Sequence, residues 1–128
     1  MIVEGGLFLL ARRKPGGELG GLWEFPGGKL EPGEGDEEAL VREFREEFLS
    51  ALEVHDLIGE TSFVHRGRKR ALAAWSCSLP AKASLTLTEH AEWRWFGFSE
   101  IEGLALVESD RKLLPCIRAW WATFSPQS

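Results

Sequence analysis

The chain has no tyrosine, a single methionine and only two cysteines. Cys77 and Cys116 lie far apart with no CxxC spacing, which argues against a disulfide framework and against a thiolate metal site. Both are expected as free, structural thiols. No apolar run approaches the roughly 18 residues that a membrane-spanning helix needs. The opening MIVEGGLFLLARR lacks a basic start, and its apolar stretch Leu7–Ala11 is too short for a secretory signal. No membrane partner is expected, and a cytoplasmic location is the default. An excess of basic charge is missing too: 15 Lys+Arg against 20 Asp+Glu give a net charge of −5. A general nucleic-acid coat would be basic, so no nucleic-acid polymer is expected as a partner.

What is present suits one folded domain over residues 1–128. The length matches a single domain, and 44% hydrophobic residues supply one core. The acidity is local. Residues 31–47 hold eight acids and two bases, whereas the rest of the chain is close to neutral. Such a concentration suggests a bound cation.

Ile2–Val3 and Leu7–Arg12 read as hairpin arms around Glu4-Gly5-Gly6. Lys14–Gly21 is a Gly/Pro loop, and Trp23–Phe25 is a short extended piece. From Asp36 to Phe48 the pattern becomes helical, with Leu40, Val41, Phe44 and Phe48 in one sector. Strands are expected over Ala51–Glu60, either whole or broken near Asp56, and over Arg70–Leu79 and Glu92–Phe98. Ser109 reads as the N-cap of a last helix, inside which Pro115 marks a kink or the true start. His55, His65 and His90 read as surface residues. His65–Arg70 (HRGRKR) reads as a solvated hairpin loop able to steer a polyanion. Of the adjacent Trp120 and Trp121, one is expected in the core.

Glu43, Glu46 and Glu47 stand at i, i+3 and i+4, so their carboxylates share a helix face. Arg42 and Arg45 point elsewhere. Unpaired carboxylates at the rim of a core are costly unless a cation sits among them. All-oxygen ligation suits Mg²⁺ or Mn²⁺. On this pattern alone, a metal site and a plain acidic surface both stand. The glycine pair Gly27-Gly28 lets backbone approach a ligand closely, and Lys29 follows with a cation for a phosphate.

Together these segments match one motif. Gly28, Glu34 and Arg42-Glu43-Phe44-Arg45-Glu46-Glu47 reproduce G-x5-E-x7-R-E-U-x-E-E-x-G-U, the Nudix box, here residues 28–50. The chain resembles the Nudix hydrolases. Around the box, Leu9–Gly28 and Glu89–Leu114 are similar to the MutT branch. The motif's last glycine and apolar residue are Leu49 and Ser50 here. A left-handed Leu49 would cost on the order of 1 kcal/mol and leave the chemistry intact.

The resemblance implies an α/β (α+β) fold, an α/β/α sandwich with a mixed sheet between helices. It also implies metal-dependent hydrolysis of a (deoxy)nucleoside triphosphate to the monophosphate and pyrophosphate. Carried over by position, Glu43, Glu46, Glu47 and the Gly27 carbonyl hold the metal. Arg42 and Glu34 support the loop–helix unit with Gly28. Lys29 and Arg13 face phosphates, and Glu92 is an extra ligand or base. Asp110 falls where the branch reads the base edge, and an ionised Asp accepts N–H donors. Phe63, Leu72 or Trp75 offers the base a platform. Oxidised dGTP is the first candidate substrate, and a cytosine triphosphate or another nucleoside diphosphate-linked compound is the alternative. A domain that binds a nucleotide without cleaving it is a second class of reading, disfavoured by the complete glutamate set. A monomer or a homodimer is compatible with the chain.

Overall fold

The computed structural model describes residues 1–31, 37–81 and 84–124. The elements in order are β1 (Val3–Glu4), β2 (Leu7–Arg13), β3 (Trp23–Glu24), β4 (Lys29–Leu30), α1 (Glu37–Phe48), β5 (Glu53–His65), β6 (Arg68–Ser78), β7 (His90–Phe96), α2 (Phe98–Ile101) and α3 (Glu108–Ala122). β2 is the centre of one sheet. β7 runs antiparallel along one edge, and β1 and β3 share the other. The second sheet has the order β4-β6-β5, again antiparallel. A parallel bridge between Ile2 and Cys77 ties the two sheets together. The expected mixed sheet thus resolves into two antiparallel sheets joined through a parallel contact.

The run Leu7–Ala11 is apolar without interruption because both faces of β2 are covered. Phe8 and Leu10 enter a core with Phe25, Phe96, Leu113 and Ile117, on the side of α3. Leu9 and Ala11 enter the other core with Ile2, Phe44, Phe48 and Leu52, on the side of α1. Strand alternation therefore builds two layers at once. Fully burying each large aliphatic or aromatic side chain contributes roughly 1.5–3 kcal/mol.

α1 ends as anticipated from the sequence. Leu49 has φ 52° and donates its N–H to the Arg45 carbonyl at 2.8 Å. The helix proposed over Asp36–Phe48 is observed from Glu37; Asp36 lies outside the described residues.

Several local expectations are corrected. The strand from Ala51 does not break at Asp56. It absorbs register shifts between Val54 and Gly59 and runs on to His65. The basic segment is not all loop: only Arg66 and Gly67, both at positive φ, make the turn, and Arg68–Arg70 lie in β6. This is the pattern of a tight two-residue hairpin. The cap of α3 is Val107, with no side-chain bond, so Ser109 is already inside the helix. Pro115 sits within α3 and is not its start. Trp120 and Trp121 both pack partly against the α3-side core.

Candidate active site

α1 lays Leu40, Phe44 and Phe48 on the core, which leaves Glu43 and Glu47 at the rim facing the Pro26–Lys29 turn. Between them is a small cleft of about 60 Å³, lined by Glu24, Gly27, Gly28, Lys29, Glu43 and Glu47 among others. A larger cavity of about 470 Å³, bounded by Glu4, Leu79, Trp93 and Trp95, shares no residue with it. The turn requires glycine. Gly28 has φ 82°, and a Cβ there would stand 2.4 Å from the Met1 nitrogen and 2.6 Å from the Trp75 carbonyl oxygen. The Gly28 carbonyl accepts the Trp75 N–H at 2.7 Å. The Gly27 carbonyl oxygen lies 3.4 Å from the Met1 ammonium, whose pKa burial lowers.

The α1 glutamates stand in different environments. Burial raises the Glu47 carboxyl above its ordinary value; nearby His90 opposes this, and Glu24 and Glu43 add to it. Glu46 is 68% exposed, outside the cleft, and pairs with Arg42 at 3.9 Å. Arg42 therefore does not turn away from the acidic face, a correction that follows from the i, i+4 spacing. Glu34 lies outside the described residues.

The other wall is a network of buried charge. Asp110 is 1% exposed. It accepts two bonds from the Lys29 ammonium, at 2.7 and 2.9 Å, and the Phe25 N–H at 2.7 Å. This corrects the base-reading expectation: Asp110 and Lys29 are engaged with each other, and no lone pair of Asp110 is presented to a base. Burial alone would lower the Lys29 pKa, but Asp110 and Glu24 outweigh it and hold it raised.

Glu24 is the node that sequence reasoning missed. Its carboxylate accepts from Arg13 at 2.8 Å and from His90 at 3.1 Å, and lies 3.5 Å from Lys29. Burial pushes Glu24 up, but the His90 hydrogen bond, the Lys29 charge and Arg13 prevail and hold it at about 2. The nearest sequence signal is alternation: Glu24 pairs with Ala11, whose side chain belongs to the α1-side core.

His90 is buried, not superficial. The β2–β7 ladder pairs Arg12 with Glu92 but Arg13 with His90, so Ala91 is an extra residue. Such a bulge re-aims the following side chain. It swings His90 to the α1 side, where the ring stacks on Phe48. Before the bulge the alternation is regular, so Glu92 shares the face of Phe96, which is in the α3-side core. There Glu92 is held by Arg12 at 3.1 Å and Arg94 at 3.6 Å. The sheet separates it from the α1 glutamates, a correction to its place among them. Glu89 is nearer in chain terms: it follows Thr88, whose hydroxyl donates to the Glu46 and Glu47 carbonyls.

The alternative base platforms lie on different faces of the sheet. Trp75 packs into the α1-side core, whereas Phe63, opposite Arg70, shares the face of Leu72 on the α3 side. They do not form one surface.

The donors around the cleft are carboxylate and carbonyl oxygens, a hard set that fits a divalent ion of the Mg²⁺ or Mn²⁺ type. Among the described residues no three acidic, histidine or cysteine side chains already enclose an ion position.

The NUDIX domain model matches residues 1–116. The CTP pyrophosphohydrolase of Escherichia coli (strain K12) is 36% identical over 123 residues, covering 93% of this chain and 87% of that protein. The 8-oxo-dGTP diphosphatase of Proteus vulgaris is 55% identical over 38 residues, covering 30% of this chain and 34% of that protein. Among solved structures, the E. coli ORF135 protein superposes with a TM-score of 0.73 at 32% identity, covering 95% of this chain and 86% of that one. A match that runs through both sheets, the glycine turn and the glutamate helix leaves one conclusion: the chain belongs to the Nudix hydrolase family.

Proposed function

We propose that this Nudix hydrolase cleaves a cytosine nucleoside triphosphate to the monophosphate and pyrophosphate, using a divalent metal ion. The observation that carries the reading is the cleft where Glu43 and Glu47 meet the Gly27–Lys29 turn. Glu43, Glu46, Glu47 and the Gly27 carbonyl would hold the ion. When bound, it supplies charge neutralisation at the phosphates and an activated water. Arg13 and the third N–H of Lys29 turn from Glu24 to the phosphate oxygens. Lys29 stays anchored on Asp110 meanwhile. Water adds to one phosphorus and the bridging P–O bond breaks. Glu89, unlike Glu92, is free of the Arg12–Arg94 clamp and takes the water proton. Positioning and charge do the remaining work.

Base choice is set outside the box. The relative named for CTP aligns along nearly the whole chain, whereas the Proteus protein named for 8-oxo-dGTP aligns over under a third. Cytosine therefore comes first, and 8-oxo-dGTP is the second reading. The test is a product assay with CTP, dCTP, 5-methyl-dCTP, 8-oxo-dGTP, ADP-ribose and diadenosine polyphosphates in Mg²⁺ or Mn²⁺. Monophosphate and pyrophosphate are expected from a cytosine triphosphate, with kcat reduced at least about 100-fold in Glu47→Gln. Orthophosphate as product, or silence across the panel from folded protein, overturns the reading.

A further inference from the structure

His90 is the site residue that the reaction above leaves without a task. It is 3% exposed, and its ring lies 5.2 Å from that of Phe48 at an interplanar angle of 14°. Packing alone does not explain it. A phenylalanine would stack as well without burying two nitrogens, and Nδ1 is buried with no hydrogen-bond partner. What distinguishes the imidazole is Nε2, 3.1 Å from Glu24 Oε2. An ionised carboxylate only accepts, so Nε2 carries the proton.

Three donors thus meet on Glu24: Arg13, Lys29 and His90. Two of them sit on long side chains able to turn to an incoming phosphate. The third is fixed behind Phe48 by a bulged backbone and cannot follow. Without it, each bond that Arg13 or Lys29 makes to phosphate would strip a half-buried carboxylate of its partners, which opposes binding. We propose that His90 is a positioning residue for nucleotide binding: its Nε2–H holds Glu24 in place and satisfied while Arg13 and Lys29 are handed to the phosphates. This rests on the reading of the cleft as a nucleoside triphosphate site.

The test uses the full chain with Mg²⁺, the best substrate of the panel and its non-hydrolysable methylene analogue. His90→Phe keeps the stacking and removes the donor. His90→Gln returns an amide N–H near the Nε2 position. His90→Phe is expected to raise KM and the analogue Kd about tenfold, the worth of a hydrogen bond to a charged group, with kcat within about twofold. His90→Gln is expected to recover most of that loss. A glutamine variant as weak as the phenylalanine one, or a phenylalanine variant that binds like wild type, overturns the proposal. Wild-type ¹⁵N spectra give a readout independent of activity and of variant folding. A proton on Nε2 supports the assignment, and one on Nδ1 alone overturns it. Wild type that neither cleaves nor binds nucleotide overturns the proposed function as well. Active wild type with an indifferent His90→Phe overturns the His90 role alone.

Discussion

Two sets of carboxylates belong to the cleft region, built in opposite ways, and of them Glu24, Glu43 and Glu47 line the cleft itself. Glu43, Glu46 and Glu47 come from consecutive turns of one helix, at the rim or in solvent. Glu24 and Asp110 come from a strand and a helix far apart in the chain, one half-buried and one buried, both among cations. Under the proposed function, the first set is the one that would take an external cation. The second has internal cations already and serves to place them. An acid's task here follows from how many of its lone pairs the fold has filled.

The strongest challenge to this contrast is to empty one side of the buried set. Asp110→Ala would strand the Lys29 ammonium and leave the Phe25 N–H unsatisfied. Unfolding in urea should register a loss of about 3–5 kcal/mol. A loss below about 1 kcal/mol would mean that the pair is solvated and that the two sets do not differ in kind.

Glu24 comes next in size, as a function of pH. Its folded pKa of about 2 is below the ordinary 4.5. A depressed acid stabilises the fold fully above the unfolded value, and that contribution is lost as pH falls from about 4.5 to about 2. It is of order 3 kcal/mol. Urea midpoints collected against pH should fall through that window in the wild type. In Glu24→Gln they should be flatter there. Equal slopes would place Glu24 with the exposed acids.

The mildest change belongs to the end of α1 and is a gain. Leu49 is 60% exposed at φ 52°, so Leu49→Gly relieves strain without opening the core. Thermal unfolding should show about 1 kcal/mol of added stability with kcat unaltered. A destabilised variant would show that the Leu49 side chain contributes more than its backbone costs.

The exposed set was legible in the sequence because a helix face has a fixed period. Glu43, Glu46 and Glu47 could be placed on one helix face without knowing anything else about the fold, although only Glu43 and Glu47 line the cleft. The glycine turn and the left-handed Leu49 were legible for the same local reason. The buried set was not. That Asp110 closes on Lys29 depends on α3 docking beside β4, and no spacing encodes that. Period-2 alternation, applied without the bulge, places His90 and Glu92 on one face. The structure puts them on opposite ones. Short elements such as β4 and α2, two and four residues long, lie below what periodicity resolves.

The extra residue at Ala91 bears on how this cleft can vary between relatives. The register of β2 and β7 slips by one position there. Pairing the two strands in strict register, with Ala91 opposite Arg13, would turn position 90 toward the side of Phe96, away from Phe48 and Glu24. Every side chain of the cleft would keep its identity, yet the carboxylate would lose its imidazole. The site's chemistry is thus written partly in the register of a strand. A relative that pairs these strands without the bulge must carry its imidazole at the position of Ala91 or draw the third donor for its glutamate from another element.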